Sequence, residues 1–200
     1  MRTPAAIGFR AHSGWAAAVA ITGPRNTPAV ILRRRIEMVD RGAAGGAQPY
    51  HASVGLDLRE ARQIVTAAAA RAVSLAAAAL RGIIEDLRGL GHEAAGCGLL
   101  LAAGRPLPAL ESVLASHALI HTAEGELFRE ALRAASQACS QPLVAVKERD
   151  LFTRAAADLH LPDVQIAERL AAMGRDIGPP WRQDEKYAAA VAWLALPRSG

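Results

Sequence analysis

Apolar and polar positions follow two rhythms along this chain. Up to about residue 39 the apolar positions come in short runs, Ala5–Phe9 and Trp15–Ile21, followed by the β-branched run Ala29–Val39. Turn-forming residues separate them, most densely at Gly23–Pro28, so the pattern predicts a three-stranded antiparallel meander. From Leu56 to about Leu90 the rhythm changes. Leu58, Ala61, Val65, Ala68, Ala72, Leu75, Ala79, Ile83 and Leu87 recur at steps of three or four, which predicts one long helix unless Gly82 breaks it. Ala94–Gly104 is a short apolar run bounded by glycines and reads as a buried strand.

The rest alternates in the same way. "LPALESVLASH" predicts a short helix, and a second helix follows with Thr122 as its N-cap and Glu124 and Glu126 in its first turn. "PLVAVKERDL" reads as a strand leaving through charged residues. Helices are expected over Leu151–Leu159, Asp163–Met173 and Pro180–Leu196, the last with proline in its first turn. Between the meander and the long helix, Asp40–Gly55 is a glycine-rich loop, long enough to be either flexible or functional. The order β-β-β-α-β-α-β-α implies an α/β class, a mixed sheet with helices on both faces, in one domain spanning residues 1–200.

Composition changes this picture little. Hydrophobic residues make up 52% of the chain and aromatics only 4%, which favours closely packed Ala/Leu helices and argues against disorder. The net charge of +4 permits a polyanionic partner, but the basic residues are spread along the chain, and much of the Arg/Ala/Gly richness fits GC-rich bacterial coding. Cys97 and Cys139 form no metal-type CxxC and predict no disulfide framework. The start carries no signal-type apolar stretch, and the Ala-rich runs hold arginines at helical intervals, so the expectation is a cytoplasmic protein without a membrane span.

Two stretches carry a resemblance. The opening hairpin reads Ile7-Gly8-Phe9-Arg10, then Ser13-Gly14, then the strand Trp15–Ile21; the last helix begins "QDEKYAAAVAWLAL" with Asp184 and Glu185. With the element order, this resembles the ribonuclease H-like superfamily, particularly RuvC-type resolvases. The resemblance implies clustered carboxylates holding two Mg²⁺ ions that orient water and stabilise the leaving oxygen. It also implies an aspartate where this sequence has Arg10, and a second acid after the fourth strand, where "GLLLAAGRP" offers Arg105 instead. The standard acidic centre is therefore expected to be absent.

The remaining candidate chemistry is polar and scattered: Arg10, His12, Tyr50, His51, His117, His121, Thr122, Glu124 and Glu126. If loop ends converge at one sheet edge, Arg10, His12, Tyr50, His51, His121 and Thr122 would form a cleft for a phosphate-bearing ligand such as nucleic acid. His51, His121, Glu124, Asp184 and Glu185 are the catalytic candidates. The competing role for Arg10 is a structural salt bridge to Asp184 or Glu185. No metal is expected, because His117 and His121 share a helix face only if the helix continues through Thr122. The first alternative is a divergent phosphodiesterase using Asp184 and Glu185, with Mg²⁺ as cofactor only in that case. The second is a structural or interaction protein, with the long helix as a homodimer face. Trp181 and Trp193 are read as core anchors, and Trp15 as a lone stacking candidate.

Overall fold

The computed structural model describes residues 2–40, 42, 45–102, 104 and 106–198. Arg105 and part of the glycine-rich loop lie outside the described residues. Strands β1 (Thr3–His12), β2 (Trp15–Thr22) and β3 (Ala29–Glu37) form the expected meander. The chain continues through α1 (Pro49–Ala52), α2 (Leu58–Gly89), β4 (His92–Leu101), α3 (Leu110–Leu114), α4 (His117–Ala138) and β5 (Leu143–Lys147). After a 3-10 turn at Glu148–Asp150 come α5 (Leu151–Leu159), α6 (Asp163–Ile177) and α7 (Gln183–Ala195).

The sheet order is β3-β2-β1-β4-β5; β1, β2 and β3 pair antiparallel, while β1, β4 and β5 run parallel. Both faces are covered, so the central strands are apolar on both sides. On one face Ile7, Phe9 and Leu99 pack with Leu80, Ile83 and Leu87 of α2 and Phe128 and Leu132 of α4. On the other, Ala6, Val19, Ile21 and Leu100 meet α5, α6 and α7, with Trp193 fully buried.

Glycine sets how closely α7 lies on that second face. A Cβ at Gly8 would stand 1.9 Å from the Ala188 carbonyl oxygen, and one at Gly98 would stand 2.3 Å from that of Val191. Only glycine lets backbone meet backbone at this spacing. Because β1 alternates, Gly8 and Arg10 share the α7 face, so the close approach also brings the start of α7 over Arg10.

Several boundaries differ from expectation. Gly82 does not interrupt α2, which runs 32 residues and starts on Asp57, whose side chain accepts from the amides of Arg59 and Glu60. By length and composition α2 could cross a membrane; here its stripe of Leu80, Ile83, Ile84 and Leu87 packs in the core, while only 22% of its apolar window is buried. The long glycine-rich segment contains α1. The helix expected from Thr122 instead begins at His117 and is capped by Ser116, whose hydroxyl accepts from the Leu119 amide. Thr122 lies inside it, donating its hydroxyl to the Ala118 carbonyl at 2.9 Å. The last helix begins at Gln183, after Pro180 and Trp181; Trp181 donates its indole N–H to the Leu170 carbonyl.

Candidate functional site

Arg10 and His12 end β1 on the α7 face. Arg10 makes a two-pronged contact with Glu148, Nε to Oε2 at 3.1 Å and Nη2 to Oε1 at 2.7 Å. Its Nη1 donates to Asp184 Oδ1 at 2.5 Å. That same oxygen accepts from His12 Nε2 at 2.8 Å. The guanidinium also lies 5.0 Å from the centre of the Tyr187 ring. Arg10 therefore closes a bridge between the carboxyl end of β5 and the first turn of α7.

Electrostatics follow from this geometry. Burial opposes the charge on Arg10, but Glu148 and then Asp184 outweigh it and hold its pKa above the ordinary value. Burial would raise the Asp184 pKa, yet His12 and Arg10 outweigh that and lower it. One cation shared between two carboxylates engages all three guanidinium nitrogens. The fold family's Mg²⁺ pair does not fit here. Among the described residues Glu148 and Asp184 are the carboxylates that reach Arg10, and the guanidinium stands between them. Glu185, expected to contribute chemistry, accepts the Arg182 amide at 2.8 Å and caps α7 instead.

Beside this cluster the sheet surface opens into a groove of about 470 Å³ lined by Trp15, Ala17, Arg33, Arg35, Arg182 and Asp184, among others. Cross-strand register explains its shape: Arg10, Ala17 and Arg35 lie in one row across β1, β2 and β3. The small Ala17 leaves a floor between two arginines. In the next row Trp15 stacks on His12 with ring centres 4.3 Å apart, and the Arg35 guanidinium stands 3.8 Å from the centre of the Trp15 ring. Arg33 is engaged with the carbonyls of Gly178, Pro179 and Pro180 and fixes that segment as a wall. A larger groove of about 730 Å³ lies elsewhere, around Arg25 and His160, but Arg25 there is engaged with the Asp158, Trp193 and Leu194 carbonyls and holds structure together.

The other expected residues gather elsewhere. Tyr50, His51, His121 and Glu124 belong to α1 and α4, across the sheet from α7. Glu124 is 2% exposed, and its Oε1 accepts from the amides of Tyr50 and His51 and faces His51 Nδ1 at 3.3 Å. Burial raises the Glu124 pKa, and the hydrogen bonds from His51 and Tyr50 offset only part of that. Burial, with Glu124 beside it, also raises the Tyr50 pKa. Glu126 pairs with Arg129 one turn on. The expected single cleft is thus two clusters, both at the carboxyl end of the parallel strands but on opposite faces. Strand alternation is the reason: Arg10 and His12 face α7, while Phe9 and Ala11 turn towards α2 and α4.

Glu148 was not among the sequence candidates. An acid at the carboxyl end of a parallel strand, two strands from Arg10, is the signal that points to it.

No family model and no curated protein matches this chain. Solved structures do. Thermus thermophilus RuvC aligns with a TM-score of 0.53 at 9% identity, covering 94% of this chain and 91% of that one. T. thermophilus RuvC in complex with Holliday junction substrate aligns with the same TM-score at 11% identity, covering 94% and 90%. At that identity the likeness establishes the fold: this chain has the ribonuclease H-like, resolvase-type architecture.

Proposed function

We propose that this chain is a ribonuclease H-like scaffold that binds nucleic acid phosphate without cleaving it. The observation that carries this reading is Arg10. It stands where the resemblance calls for a metal-binding aspartate, and its charge is taken up by Glu148 and Asp184. A carboxylate cluster would repel phosphate unless metal neutralised it; here a built-in cation offsets one of the two carboxylate charges. Arg10 itself is not the main anion anchor, because each of its three nitrogens already donates to Glu148 or Asp184. The contact falls to the adjacent groove, where Arg182 and Arg35, the latter paired with Glu37 and laid over Trp15, supply the positive charge. The RuvC structure bound to a Holliday junction makes such a junction the first ligand to try.

The test is anisotropy titration of labelled junction and single-stranded DNA across a salt series, with Mg²⁺ and Mn²⁺ cleavage assays alongside. Affinity should fall with salt, and Arg35→Ala and Arg182→Ala should each reduce the salt slope by about one. No cut product should form. Binding indifferent to salt and to both substitutions would overturn the binding reading. Cleavage that disappears in Asp184→Asn would overturn the non-cleaving one.

A further inference from the structure

On the face of the sheet away from Arg10, the first two turns of α4 present His117, His121 and Glu124 at spacings of four and three, one side of one helix. The short α1 lies against them and adds His51. The three imidazoles meet edge to face, with ring centres 4.5 Å apart for His117 and His121, 4.8 Å for His51 and His121, and 5.6 Å for His51 and His117. One ring nitrogen from each lies within 4.8 Å of the other two.

A second observation stands beneath the rings. Glu124 is buried, its Oε1 faces His51 Nδ1, and its Oε2 has no hydrogen-bond partner among the described residues. A buried carboxylate with an unused oxygen is costly unless positive charge lies close by. Holding His51 through Nδ1 leaves Nε2 as that ring's free nitrogen, the arrangement in which a carboxylate fixes the orientation and tautomer of a metal-binding histidine. Packing alone accounts poorly for the cluster, because His117 and His121 are exposed and gain little from burial. The positive end of α4 works against a cation, and the Glu124 carboxylate works for it at the same place.

We propose that His51, His117 and His121 bind one divalent transition-metal ion of the zinc class, with Glu124 as the residue that positions His51. Three neutral imidazoles suit zinc and its neighbours and disfavour Mg²⁺. Tetrahedral coordination at ~2.0–2.1 Å places nitrogens about 3.3 Å apart, so each would close by less than ~1 Å. Rotation of exposed rings supplies that. With three protein ligands, the fourth position faces solvent, as in sites that take up an exogenous ligand.

The experiment uses the untagged 200-residue chain stripped with chelator. Zn²⁺ is titrated in competition with a chromophoric chelator, and Co²⁺ is added separately for its visible spectrum. The expected result is one Zn²⁺ per chain and a four-coordinate Co²⁺ spectrum. His117→Ala and His121→Ala should each lose more affinity than the ~10–100-fold expected of Glu124→Gln, which should keep the stoichiometry but shift the Co²⁺ spectrum. Both exposed variants should match the metal-free wild type in thermal unfolding, which separates lost ligands from lost fold. If Glu124→Gln fails to fold, the two histidine variants decide the matter alone. Equal Zn²⁺ affinity in wild type and in the double variant His117→Ala/His121→Ala would overturn the proposal, as would a wild type that binds no Zn²⁺. The groove beside Arg10 lies on the other face, so neither result bears on it.

Discussion

The two polar clusters occupy the same end of one sheet and have opposite characters. Around Arg10, a cation and two carboxylates satisfy one another, and little remains to offer a ligand beyond the neighbouring groove. Around Glu124, three imidazoles face each other over a buried acid with an oxygen to spare. The first cluster is closed by its own contacts, and the second is open. The comparison teaches that one strand end can carry a self-satisfied ion-pair cluster on one face and a cluster with an unpartnered carboxylate oxygen on the other.

Four changes would break or sharpen this contrast. The largest effect should come from Gly8→Ala. Its methyl would collide with the Ala188 carbonyl, lift α7 and cost about 3 kcal/mol, the upper end for overpacking. For a chain of this size that lowers the melting temperature by roughly 6–12 °C. The Arg10 cluster should come apart while Zn²⁺ binding on the other face survives; loss of both would show that the clusters are not independent.

Arg10→Ala comes next. It leaves Glu148 and Asp184 facing each other across a partly buried gap. Breaking a fully buried pair costs ~3–5 kcal/mol, so a half-exposed one should cost about 2, read by denaturant unfolding. A neutral result would mean that the bridge holds nothing together.

Third, the clusters should respond to pH with opposite signs. The lowered Asp184 pKa means that the unfolded chain binds more protons, so its stabilisation is present above the ordinary aspartate range, near ~4, and is lost as pH falls through the folded value. The raised Glu124 pKa means that the folded chain binds more protons. Stability should therefore decline as pH rises from about 4.5 through the folded value. Melting temperature against pH should lose its acid-side slope in Asp184→Asn and its declining slope in Glu124→Gln. Identical slopes in wild type and both variants would remove the electrostatic half of the contrast.

Smallest of all, His117→Ala should change metal-free stability by less than ~0.5 kcal/mol, because the ring is exposed. A larger loss would make the histidine cluster structural.

Much of the fold was legible in the sequence because apolar periodicity reports burial directly. The three-stranded meander, the long α2 and the span of α5 were all readable that way. The sites were less legible, for reasons that particular residues show. "SHALIHTAEGE" offers two caps, Ser116 and Thr122, and the acids after Thr122 favour the wrong one locally. Moving the start to His117 places both histidines on one helix. The four-residue α1 is too short to announce itself, and its backbone is held by Glu124, 73 residues away. Glu148 reads as one more charge leaving a strand until the parallel pairing of β4 with β5 brings that strand end round towards Arg10. The α1 and Glu148 misses are tertiary facts that no local pattern carries, while the cap at Ser116 was a choice between two local signals.

The alternation of β1 has one more consequence, for how the chain finds its fold. Slipping β1 by a single residue against its neighbours would exchange its two faces. Phe9 would then meet Asp184 and Glu148, Arg10 would point among Leu80, Leu99 and Phe128, and the backbone of α7 would find a side chain in place of Gly8. A wrong pairing thus fails at three points at once, so the opening hairpin acts as a proofreading step in which only the correct alignment lets the layers on either side close.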